Sequence, residues 1–113
     1  MHEYSIVQAL LEQVEREAAA RGAVAVRRLA VSIGELSGVE ADLLASAYYV
    51  FRARSVCEGA ELEIRRVAAR WACPSCARGI ARGEVLRCPC CGVPAELAGG
   101  DEIVLDRIEM EVA

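Results

Sequence analysis

Lysine, threonine and asparagine are absent from this 113-residue chain, and histidine, tryptophan and phenylalanine occur once each. All 13 basic residues are therefore arginine, against 17 acidic ones, for a formal net charge of −4. With aromatics at 4%, the chain lacks the basic field and the stacking surfaces by which most proteins hold nucleic acid. No run of about 18 apolar residues exists to cross a bilayer, and Met1-His2-Glu3 lacks the basic start of a secretory leader. A cytoplasmic protein with no membrane association is expected. One histidine, at position 2, leaves no Ser/His/Asp or Cys/His set, and no glycine-rich phosphate loop is present. The chain reads as a non-enzyme. The missing residue types, beside abundant alanine, reflect base composition of the gene rather than function.

What is present suffices for one packed core: 55% of residues are hydrophobic and 27% charged. Ser5-Ile6-Val7-Gln8 has the form of a capping box, and Ile6, Val7, Leu10, Leu11, Val14 and Ala18 follow at helical spacing. A helix over about 5–21 is predicted. Alternation over 24–33 predicts a strand ended by Gly34. A second capping box, Ser37-Gly38-Val39-Glu40, precedes apolar residues that predict a helix over about 40–56. Residues 61–67 alternate as a strand, as do 103–112, where a change of phase predicts a bulge near Asp106-Arg107. The expected fold is α+β: a three-stranded β-sheet with two α-helices on one face, plus an inserted four-cysteine, zinc-ribbon-like module that projects from the sheet.

Four of the six cysteines fall in a C-x2-C-x11-C-x2-C pattern: Cys73-Pro74-Ser75-Cys76 and Cys88-Pro89-Cys90-Cys91-Gly92. A two-residue spacer lets the backbone curl so that both sulfurs of a pair face one ion while amides point at the thiolates. In a reducing compartment this spacing means a metal rather than disulfides. Gly92 suits the positive φ that follows a second ligand and favours Cys91 over Cys90, although a slipped register through Cys90 stays open. Zinc fits a tetrahedral sulfur shell, with iron in a rubredoxin-like electron carrier as the rival. Either shell is saturated, so the metal staples a loop and performs no chemistry. Arg78, Arg82 and Arg87 are the sole support for a zinc-ribbon nucleic-acid module. Cys57 reads as a small buried apolar residue.

A histidine at position 2 offers its imidazole, its own amide nitrogen and the terminal amine in fused chelate rings, with Glu3 able to add a further donor. Nitrogen-rich sets of this kind suit Ni²⁺ or Cu²⁺, whereas most terminal histidines are merely solvated. Gly34-Glu35-Leu36-Ser37-Gly38 admits two readings: a surface near the amino terminus, or a strand-to-helix turn needing glycine and a cap.

Three separated motifs, Met1-His2-Glu3-Tyr4-Ser5, Ile33-Gly34-Glu35-Leu36-Ser37-Gly38-Val39 and the two cysteine pairs, make the whole chain resemble the HypA/HybF family of hydrogenase nickel-incorporation proteins. The resemblance implies a nickel metallochaperone that helps load Ni(II), its transient cargo, into the large subunit of [NiFe] hydrogenase, and in some organisms into urease. It implies work beside the HypB GTPase and, for some members, with urease maturation proteins. Carried over residue by residue, His2 is the nickel-binding histidine and Glu3 its acidic neighbour for nickel binding or partner contact, with the Met1 amine completing the expected nickel site, and Cys73, Cys76, Cys88 and Cys91 hold structural Zn(II). Residues 1–70 and 99–113 then form the nickel-binding α/β domain and 71–98 the zinc-binding module. Tyr4 departs from the family's usual Leu or Met, and Cys90 from its usual non-cysteine. Nickel affinity is expected to fall on acidification through the imidazole range, near about 6.5 in model peptides. Monomer and homodimer are both compatible with the sequence.

Overall fold

The computed structural model describes residues 2–81 and 83–112, with only the backbone of His2. Its element order is α1 (His2–Ala20), β1 (Ala23–Gly34), α2 (Ala41–Phe51), β2 (Glu61–Val67), β3 (Arg70–Ala72), β4 (Gly79–Ile80), β5 (Glu96–Gly99) and β6 (Ile103–Val112). β1 is the centre of the main sheet, ordered β2-β1-β6, parallel to β2 and antiparallel to β6. Both helices cover one face, α1 over β1 and β6, α2 over β2. A second small sheet, ordered β4-β3-β5, carries the cysteines. Principal extents of 56 × 27 × 17 Å show that this module stands out from the sheet, as the sequence predicts.

The apolar spacing of α1 becomes its buried stripe of Val7, Leu10, Val14 and Ala18, of which the first three cluster with Val26, Leu29, Val31 and Ile33 of β1 and Leu44, Ala47 and Tyr48 of α2. The helix begins at His2, however, so Ser5 lies inside the first turn rather than capping it. Ser37 likewise does not cap α2. Its hydroxyl accepts the Val39 amide at 3.3 Å in a local turn, and the N-cap position is Glu40, with no side-chain cap.

α2 ends at Phe51, five residues before the sequence prediction. There the chain turns through Arg54 at φ 66°, which drops Cys57 and Ala60 into the core. The Tyr48 hydroxyl and the Arg52 guanidinium both donate to the Ala60 carbonyl, at 2.9 and 2.8 Å, and fix that turn. Burial pushes the Tyr48 phenol well above its ordinary range, which favours the protonated, donating form.

The predicted bulge in β6 is present. Arg107 faces Ala30 and Leu105 faces Val31, so Asp106 is the extra residue between them. The bulge turns its carboxylate onto the Ser32 hydroxyl, the buried polar side chain of β1, which also accepts from Arg65 at 3.1 Å. One face of the strand thereby keeps its polar group paired.

Two glycines bring the main sheet and the cysteine module together. A Cβ on Gly34 would run into the Gly100 carbonyl, and one on Gly100, itself at φ 91°, would sit 2.6 Å from the Ala68 oxygen. Both contacts are to backbone, which cannot swing away. Gly34→Ala should lower stability by about 1–3 kcal/mol, the usual cost of overpacking, seen as a lower urea midpoint. An unchanged midpoint would show that the linkers can slide apart.

Candidate metal centre

The cysteine site is made of two turns with the same plan. In the first, β3 delivers Cys73, whose amide donates to the Arg78 carbonyl at 2.9 Å while its own carbonyl accepts from Ala77 at 2.9 Å. In the second, the Cys88 amide donates to Val93 and its carbonyl accepts from Gly92, again at 2.9 Å. The residue four past each leading cysteine takes positive φ: Gly92 at 69°, as the sequence predicts, and Ala77 at 64°, where an L side chain is unusual. In each turn a backbone amide reaches the leading sulfur, Ser75 to Cys73 and Cys91 to Cys88, both at 3.4 Å.

These turns bring the sulfurs of Cys73, Cys76, Cys88 and Cys91 within 4.8 Å of one another, with Cys73 and Cys88 buried. The Cys76–Cys88 separation is 3.7 Å. A tetrahedron of thiolates about 2.3 Å from a zinc ion has edges of about 3.8 Å, so the four residues fit such an ion with little movement. Their electrostatics agree. The Cys91 amide pulls the Cys88 thiol down to about 6, whereas hydrogen bonding with the neighbouring thiols of Cys76 and Cys73 pushes Cys91 up to about 12. Four thiols this close cannot all ionise unless a cation stands among them.

Cys90 is outside the cluster. It is exposed, and its sulfur takes the Arg78 guanidinium at 3.4 Å. Arg87, also exposed, donates to the Gly92 carbonyl, and Arg82 lies outside the described residues. Cys57 is fully buried beside Tyr48, and burial pushes its thiol up, as suits an apolar core position.

Of the predicted nickel residues, Met1 and the His2 side chain lie outside the described residues. The His2 backbone and Glu3 open α1. Glu3 is half-buried and lines a groove of about 280 Å³ with Tyr4, Leu43, Ser46, Ala47 and Val50. The Tyr4 ring stands edge-on to Phe51, centroids 5.1 Å apart.

The glycine-bounded motif of residues 34–38 acts as a turn that holds the module's linkers. Gly34, Glu35 and Leu36 donate to Glu102, Val67 and Gly100 at 2.7–2.8 Å, and the Glu35 carboxylate accepts the Ala69 amide at 2.8 Å. That clasp escapes sequence reasoning, because the partners are distant in the chain. The sequence signal for it is the Gly99-Gly100 pair, which marks a close backbone approach.

A family described as hydrogenase/urease nickel incorporation, metallochaperone, hypA, matches residues 1–110. The hydrogenase maturation factor HypA of Wolinella succinogenes is 44% identical over 117 residues, covering 98% of this chain and 96% of its own. That of Aquifex aeolicus is 38% identical over 114 residues, with 99% of both chains covered. Among solved structures, the Ni metallochaperone HypA from Helicobacter pylori has a TM-score of 0.75 at 30% identity, with 98% of each chain covered. A second HypA solution structure has a TM-score of 0.84 at 31% identity, covering 100% of this chain and 98% of that one.

Proposed function

Since this chain belongs to the HypA family of nickel-incorporation metallochaperones, we propose that it takes up Ni(II) at its amino terminus and passes it to a [NiFe] hydrogenase large subunit, beside the HypB GTPase. The donors are the Met1 amine, the His2 amide and imidazole, and Glu3. Cys73, Cys76, Cys88 and Cys91 hold zinc as a permanent staple of residues 71–98. The remainder of the chain, 1–70 with 99–113, is the nickel-binding domain.

The observation that carries this reading is the start of α1 at His2. The first amides of a helix have no intrahelical acceptor, so those of His2 and Glu3 are available as ligands without breaking the helix. The positive end of the helix dipole acts in two opposed ways there. It repels a bare dication, and it stabilises an amide nitrogen that has lost its proton. Such a site binds selectively yet yields its ion to a softer donor set such as the client's thiolates. The sulfur cluster is the opposite case, a closed shell with no position from which to deliver.

The test is a nickel titration of zinc-loaded protein with and without one extra residue before Met1. The native start should bind one equivalent. The extended form, whose amine is displaced from the chelate, should bind at least tenfold more weakly, about 1.4 kcal/mol. Equal binding by both forms would remove the amine from the site and overturn the proposal.

A further inference from the structure

We propose that Phe51 is a positioning residue for nickel: acting through Tyr4, it holds the backbone of residues 2–4 in the helical form that closes the chelate. The inference rests on the amino-terminal reading above and goes beyond it to a residue on another element.

A planar five-membered ring through two consecutive amide nitrogens and a metal needs ψ near zero at the residue between them. Helical ψ, near about −42°, is close to that value and turns both nitrogens the same way, whereas extended ψ, near about +135°, splays them apart. Residues His2–Tyr4 are helical. The apo backbone at His2 is thus near the form that a ring through the His2 and Glu3 amide nitrogens needs.

A helix end needs a capping oxygen, and the residue before His2 is a methionine, which has none. Terminal turns without caps fray. Here the restraint is tertiary. Tyr4 meets Phe51 edge to face, at 5.1 Å and an interplanar angle of 89°, a favourable geometry for an aromatic pair. Phe51 closes α2, and its ring is 44% exposed, outside the hydrophobic core. Tyr4, at 43% exposed, also lies against the groove of Leu43, Ala47 and Val50. This ring pair contributes little to the core and fixes where α1 begins.

When only part of the population is competent to bind, the apparent dissociation constant rises in inverse proportion to that part. Loosening the pair therefore weakens nickel binding without touching a ligand.

The experiment compares zinc-loaded wild type with Phe51→Ala, Tyr4→Ala, the double variant, Phe51→Tyr and His2→Ala. Nickel affinity is read by competition with a chelator, and backbone order of residues 2–5 by NMR in the nickel-free protein. Each single alanine variant should lose helical order at residues 2–4 and bind nickel about fivefold more weakly, within the range expected of one aromatic pair. The double variant should be no weaker than the weaker single one, because both remove one contact. Phe51→Tyr, which keeps the ring, should stay within about twofold of wild type, and zinc content should be constant throughout. Nickel affinity unchanged in Phe51→Ala and Tyr4→Ala while His2→Ala loses nickel would overturn the positioning role and leave the amino-terminal site standing. Nickel held undiminished by His2→Ala would overturn both.

Discussion

Stripping the metal from the four-cysteine cluster with a chelator should unfold residues 71–98 and leave the two helices and the main sheet standing. The buried core comes from α1, β1, α2 and the turn at Cys57–Ala60, with partly buried residues of β2, β6, Val39 and Val56 packed against it; no described residue of 71–98 belongs to it. The module buries Ile80 and two of its own cysteines, while Val85 and Leu86 are exposed. An interior that small cannot by itself offset the conformational entropy of ordering the module. Structural zinc contributes folding free energy outright in comparable small modules, so removing the metal is expected to unfold this one. The single tryptophan, Trp71 in β3, reports on it. Chelation should move its emission to the red and release amide protection in residues 71–98, with the helical circular dichroism nearly constant. One cooperative transition that takes the helices as well would show that the main sheet depends on the module. Cys88→Ser should reproduce the chelated state without a chelator, since it removes a sulfur central to the cluster.

His2→Ala should abolish nickel binding at micromolar concentrations, a loss of at least a hundredfold, or about 2.7 kcal/mol. The variant removes the imidazole and with it a whole chelate ring, leaving amine and amide nitrogens whose protons Ni²⁺ must displace unaided. Structural damage is not expected. His2 opens α1, and the buried stripe of that helix starts at Val7, more than a turn further on. Zinc content and thermal midpoint should therefore equal those of wild type, which separates a lost ligand from a lost fold. One equivalent of nickel still bound by the variant would exclude the amino-terminal site.

The parts of this molecule that were legible in its sequence are those fixed by neighbouring residues. The cysteine spacing dictates two tight turns, Gly92 the left-handed residue that closes one of them, and the phase change in 103–112 the bulge at Asp106. The start of α1 and the end of α2 were not legible, for the opposite reason, whereas the other two helix ends fall within one residue of the prediction. Ser5-Ile6-Val7-Gln8 is a sound capping signal in isolation, yet α1 runs back to His2, where Tyr4 meets Phe51, 47 positions away in the chain. At the far end of α2, the demand of the core for Cys57 and Ala60 stops a helix that its own residues would extend. The clasp of Gly34 and Glu35 on Gly100 and Ala69 joins backbones that no local pattern relates.

The order of the main sheet has a consequence for how such a chain can be taken apart. β2 runs out at Val67 and β6 enters at Ile103, and the two strands flank β1, so the insertion departs and returns only about two strand spacings apart, roughly 10 Å. A gap that narrow can be bridged by a handful of residues. Should the main sheet stand without its metal-bearing lobe, that lobe is a graft, exchangeable in the laboratory for a short bridge or for a foreign lobe of equal footprint.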